Sequence, residues 1–155
     1  MIDYEEYKSQ IRSYAFLADL RKKTNRIIAE KQLSLVMNDT KWLKLQNAVS
    51  DLPFLPPYIC KCVTYDDDYN IGSLSDAPAF LGDWSSFWEE GIPAPFFNIE
   101  WIKVRPRHGK YKGMLVDNEI LDETSVFVAL LDKYSIPYEE ENGIFTIYGY
   151  KPSGM

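Results

Sequence analysis

Histidine occurs once in the 155 residues, at position 108, and cysteine only twice, at 60 and 62. Structural zinc sites draw four ligands from paired Cys and His, so that scarcity leaves a C-x-C half-site without its other half, and no metal is assigned. Two cysteines two residues apart on an extended segment lie on one face, poorly placed to bridge each other, so reduced thiols are expected. No stretch approaches the roughly 18 consecutive apolar residues of a membrane span. The start, MIDYEEYKSQIRSY, is acidic and polar where a secretory leader is basic and then apolar; the expected location is cytoplasmic, with no membrane partner. There is no G-x-S-x-G elbow, no glycine-rich phosphate loop, no internal repeat and no low-complexity tract. Accordingly no catalytic residue and no cofactor is assigned.

What is present is apolar and aromatic. A hydrophobic fraction of 46%, with eleven Tyr, eight Phe and four Trp, is too rich in anchoring side chains for a disordered polymer. The length fits one domain spanning 1–155. Tyr7, Ile11, Tyr14, Leu17, Leu20, Ile27 and Ile28 recur at helical spacing with no Gly or Pro between them, predicting one long helix or two in succession over 4–36. Asn38 or Asp39 can cap a helix over about 40–50, which must end before Pro53. Tyr58 to Tyr65 reads as a strand, 66–95 as a long loop with one helical turn at Ser85 to Glu89, and Phe97 to Arg107 as a strand. His108-Gly109 is read as the turn into a partner strand at about 111–116. Asp122 or Thr124 opens a helix through Tyr134, and Asn142-Gly143 joins the last two strands, since both residues tolerate positive φ. Helices first, then strands, a helix and a hairpin make an antiparallel α+β fold.

The segments MNDTKW (37–42), NIEWIKVRP (98–106), YKGMLVDNEILDET (111–124) and IPYEEENGIFTIYGY (136–150) resemble a family of small uncharacterised bacterial cytoplasmic proteins. The resemblance covers about residues 33–150 and leaves 1–32 as a helical extension. It implies a compact bacterial domain and carries over no functional residues.

The charges are segregated. Between Lys61 and Lys103 there is no Lys or Arg, while Asp66, Asp67, Asp68, Asp76, Asp83, Glu89, Glu90 and Glu100 supply eight negative charges. The rest of the chain has 17 basic and 15 acidic residues, so this segment accounts for the whole net charge of −6. Tyr65, Tyr69, Phe80, Trp84, Phe87, Trp88, Phe96 and Phe97 are interleaved with the acids. Carboxylates that speed encounter around rings that supply affinity are what recognition of a basic protein requires. The expected function is therefore a non-enzymatic protein-binding domain, of immunity or inhibitor type, neutralising a basic toxin, nuclease or other enzyme. Its expected contact residues are Asp66, Asp67, Asp68, Asp83, Trp84, Trp88, Glu89 and Glu90. The competing reading makes the rings core packing and the acids the solvated side of a loop.

Two alternatives remain. Lys103, Arg105 and Arg107 alternate along a predicted strand with His108, Lys110 and Lys112 beyond, a stripe over 103–112 that suits a small phosphate- or nucleic-acid-processing enzyme or accessory. The acidic whole argues against nucleic acid, and a charged sheet edge explains the same stripe. The other alternative is a structural or regulatory module that dimerises through the N-terminal helix, and the acidic and basic patches would also complement each other across a homodimer. Asp66-Asp67-Asp68 lacks the spaced ligands and glycine of a calcium loop and reads as a turn.

Overall fold

The computed structural model describes residues 3–13, 15–65, 73–84 and 95–153. The fold is α+β with antiparallel sheets, as the element order predicts. Two helices open it, α1 (Tyr4–Ser13) and α2 (Ala15–Glu30), followed by β1 (Leu33–Leu35) and α3 (Asp39–Val49). Then come β2 (Tyr58–Cys62), a short 3-10 helix (Phe96–Asn98), β3 (Ile99–Val104), β4 (Arg107–Lys110) and β5 (Glu119–Asp122). The chain ends with α4 (Thr124–Lys133), β6 (Glu139–Glu141), β7 (Ile144–Tyr148) and β8 (Tyr150–Pro152).

The main sheet has the order β2-β3-β7-β6, all pairs antiparallel. Its inner face carries Ile102, Val104, Phe145 and Ile147, which with Trp42, Leu45 and Val49 of α3 and Phe127, Leu130 and Leu131 of α4 form one core. Phe127 meets Phe145 edge-on at 5.6 Å, and Trp42 stacks on Phe96 at 6.2 Å. Local sequence explains the helix ends. Asn38 accepts from the Lys41 N–H at 2.9 Å and caps α3, while Asp122 Oδ1 accepts from the Thr124 N–H at 2.9 Å beside the start of α4. Asn142 and Gly143 adopt φ of 54° and 80°, the paired left-handed geometry of a tight hairpin turn.

The N-terminal helices are docked on this core. The buried ring of Tyr7 lies 4.7 Å from that of Phe96. Thr24 Oγ1 is 3.2 Å from Asn98 Oδ1, and Asn98 Nδ2 donates to Thr64 Oγ1 at 3.0 Å, so one fully buried amide ties α2 to the end of β2.

Four expectations need correction. The helical pattern expected over 4–36 stops at Glu30, and residues 33–35 form a strand instead. His108-Gly109 is not a turn but the middle of β4, and its partner is β5 at 119–122 rather than a strand at 111–116. The glycine serves close approach: a Cβ at Gly109 would stand 2.8 Å from the Ala77 carbonyl oxygen. The strand expected over 97–107 is divided, because the 3-10 helix precedes β3 and Arg105-Pro106 separates β3 from β4. The strand expected over 58–65 ends at Cys62. A further small sheet, β1 with β8, had no signal in sequence: Leu33 pairs with Pro152 and Leu35 with Tyr150 across more than a hundred residues. The helical turn expected at Ser85 to Glu89 lies outside the described residues.

Candidate partner-docking face

Residues 74–78 of the acidic segment are held onto the fold by the basic one. Arg105 is almost fully buried, with 6% of its surface exposed, and its guanidinium faces inward. Its Nη1 donates to the Asn142 carbonyl at 2.6 Å and its Nη2 to the Leu74 carbonyl at 3.3 Å. Arg107 Nη1 donates to the Asp76 carbonyl at 2.9 Å. His108 Nδ1 lies 3.0 Å from the Pro78 carbonyl, which can only accept, so that nitrogen carries the proton. The Gly109 N–H donates to the same carbonyl at 2.9 Å. Four residues, Arg105, Arg107, His108 and Gly109, thus clamp the backbone of 74–78. Planar guanidinium groups suit the task because their fixed fork of donors satisfies two carbonyls at once.

A second clamp closes the other end of the described loop. The Trp84 ring is buried, its Nε1 donates to the Pro56 carbonyl at 2.9 Å, and it packs on Tyr58 at 4.7 Å. Tyr58 Oη donates to the Asp83 carbonyl at 2.7 Å, and the Gly82 N–H to the Leu55 carbonyl at 3.2 Å. Gly82 has to be glycine, since a Cβ there would come within 2.3 Å of the Pro56 oxygen.

The carbonyls and the Trp84 ring turn inward, while Phe80 is exposed and the carboxylates of the described loop turn out. Asp83 is exposed, and the Asp76 side chain is 93% exposed, reaching Arg105 Nη2 only at 3.9 Å. Glu100 is different: it pairs with Lys61 at 3.1 Å, both side chains being mostly covered, so its charge is spent internally. Of the expected contact residues, Asp83 stands at the surface and Trp84 lies in the interior as a support. Asp66, Asp67, Asp68, Trp88, Glu89 and Glu90 lie outside the described residues.

The basic stripe does not form one exposed face. Arg105 points into the protein, and Arg107 Nε lies 3.3 Å from Asp122 Oδ2. Lys103 Nζ donates to Thr146 Oγ1 at 3.0 Å and sits 5.0 Å from the Trp101 ring centre; Lys112 pairs with Glu119 at 2.7 Å. The clamp residues Arg105 and Gly82 were missed from sequence. The one available signal was the proline at 106, which interrupts the alternation that would have put Arg105 beside Lys103.

Cys60 and Cys62 are free thiols that share a hydrogen bond, and this bond together with burial pushes the Cys60 thiol well up. Among the described residues no group of three or more His, Cys, Asp or Glu side chains could hold a metal ion. No helix among them is long and apolar enough to cross a membrane.

Glu123, at the N-terminal end of α4, is a buried carboxylate beneath the clamp. Its backbone N–H donates to the Pro106 carbonyl at 2.9 Å, Oε2 accepts from the Phe54 N–H at 3.4 Å, and Oε1 finds no partner among the described residues. Burial raises its pKa from 4.5 to about 7. The folded state therefore holds a proton that the unfolded chain releases, so stability falls as pH rises from 4.5 to about 7 and the full penalty persists above that. The loss is at most about 3 kcal/mol, from 1.36 kcal/mol per pKa unit. Glu123→Gln should flatten this dependence and be more stable than wild type at pH 8, as urea denaturation at pH 5 and pH 8 will show. An unchanged difference between the two pH values would mean the carboxylate is solvated.

A family model described as a family of unknown function, DUF6678, matches residues 24–154. No curated protein and no solved structure matches the chain.

Proposed function

The chain belongs to the DUF6678 family of unknown function, and from that premise we propose that it is a non-enzymatic, cytoplasmic bacterial protein-binding domain of immunity or inhibitor type, which neutralises a basic toxin or enzyme by covering it. The observation that supports this reading is the clamp. Within a segment that has eight acids and no Lys or Arg, the described residues 74–84 are fixed through their backbone, and Asp76 and Asp83 stand exposed there. A prearranged array of like charge accelerates encounter with a partner of opposite charge and penalises wrong partners. Rigidity adds to this, because less ordering entropy is lost on docking. The phosphate-directed reading is less favoured, since Arg105, Arg107 and His108 of its stripe already serve backbone carbonyls.

The test is charge reversal at two exposed sites. Asp76→Lys with Asp83→Lys should slow association with a cationic partner at least tenfold at low ionic strength, and the gap to wild type should close as salt is raised. Surface plasmon resonance at 20 mM and 300 mM salt reads both quantities. Equal association rates for the two proteins at low salt would remove the proposal.

A further inference from the structure

The hairpin formed by β4 and β5 ends in a loop with an apolar tip, Met114, Leu115 and Val116. Leu115 is 99% exposed and Met114 92%, and Tyr111 and Ile120 on the same hairpin are also more exposed than covered. Scattered exposed apolar side chains are ordinary, but consecutive ones on a protruding turn are not, and contiguous apolar surface of this kind marks an interaction site. The turn is shaped for display. Gly113 has φ of 149°, a conformation open to glycine and strained for other residues, and the Val116 N–H reaches back to the Gly113 carbonyl at 3.4 Å.

The stem carries no net field of its own. Arg107 faces Asp122 and Lys110 faces Glu119 across the ladder, with ion pairs Arg107–Asp122 at 3.3 Å and Lys112–Glu119 at 2.7 Å. The base of the stem is bonded to the acidic segment: Arg107 to the Asp76 carbonyl, and His108 and Gly109 to that of Pro78. The hairpin and residues 76–78 are therefore held together at its base.

We infer that the Met114-Leu115-Val116 tip is the anchor for the cationic partner of the proposed function, entering an apolar cleft on that protein while Asp76 and Asp83 attract its basic residues. This rests on the reading of the chain as an acidic binding domain. Charge complementarity selects the occupant. Anionic lipid is repelled by Asp76, Asp83 and the net charge of −6. A second copy brings the same net negative charge, which opposes its seating here. A cationic protein with an apolar cleft satisfies both the tip and its surroundings.

The test places a photo-crosslinking amino acid at position 115 of the full chain in the cells that produce it. Adducts are identified by mass spectrometry, and the adduct protein is purified and titrated against wild type, Leu115→Asp, and the Asp76→Lys, Asp83→Lys double variant. Leu115 touches no core, so Leu115→Asp should fold normally by circular dichroism. The expected result is an adduct with one basic protein, a Kd raised at least 100-fold by Leu115→Asp mainly through faster dissociation, and a slower association for the double variant. Wild-type affinity in Leu115→Asp with slowed association in the double variant would overturn the anchor and spare the charge reading. Weakening by Leu115→Asp alone would leave an anchor whose partner is not chosen by charge, and would overturn the inference as stated. Adducts only with a second copy, an acidic protein or lipid, or no adduct, would also overturn it.

Discussion

Replacing Arg105 by methionine is expected to destabilise the protein by about 4 kcal/mol, read as a fall in the urea midpoint at unchanged m-value. The reason lies in its partners. Burying a charge costs several kcal/mol, and a buried ion pair can often be replaced by apolar residues without loss, but only when both partners go. The partners of Arg105 are backbone carbonyls, of Asn142 and Leu74, which no side-chain substitution removes. Each orphaned buried acceptor costs about 1–3 kcal/mol, and a charged donor strengthens the bond it replaces. Lysine should rescue only in part, since a single ammonium cannot fork between the two sites. Asp76→Ala is the control: its carboxylate is exposed and 3.9 Å from the guanidinium, a pair of the kind that contributes little. A small effect of Arg105→Met would mean that the clamp does not hold the acidic segment.

Gly149→Ala should also be severely damaging, by about 3 kcal/mol or more, or should prevent folding. Gly149 joins β7 to β8 where three segments meet. Its N–H donates to the Glu100 carbonyl at 2.8 Å, and its carbonyl accepts from Val36 at 2.8 Å and Met37 at 3.2 Å. A Cβ would lie 2.1 Å from the Ile99 carbonyl oxygen and 3.4 Å from the Trp42 ring. The first neighbour is backbone in the sheet centre, and it cannot yield without breaking the hydrogen bonds that set the register. Ordinary overpacking costs about 1–3 kcal/mol because side chains move aside, and here the obstacle is the main chain. Thermal unfolding of the purified variant measures the effect; a melting temperature within two degrees of wild type would contradict this account.

Local rules made much of the architecture legible. The Asn142-Gly143 turn and the Asn38 cap depend on residues within a few positions, and both stand where the sequence places them. Features set by distant contacts were not legible. Gly109 reads as a turn residue because glycine commonly is one, yet its role is to let the Ala77 carbonyl approach, a neighbour thirty-two positions away. Arg105 reads as surface because strand alternation groups it with Lys103 and Arg107, but β3 stops at Val104, and the Arg105 guanidinium faces inward. For the candidate site, the segregation of charge was visible in the composition. Which aromatic residue supports the surface and which side chains form it was not: Trp84 counted among the expected contacts and is an interior prop, while the apolar tip at 114–116 was read as strand.

That the clamped acidic segment docks a cationic protein is tested most directly by the association rate of the purified pair as a function of salt. Wild type should associate fast at 20 mM salt and lose at least tenfold in rate by 300 mM, while the Asp76→Lys, Asp83→Lys variant starts slow and changes little. A wild-type rate that is flat across that range, or shared by the variant, would contradict the claim.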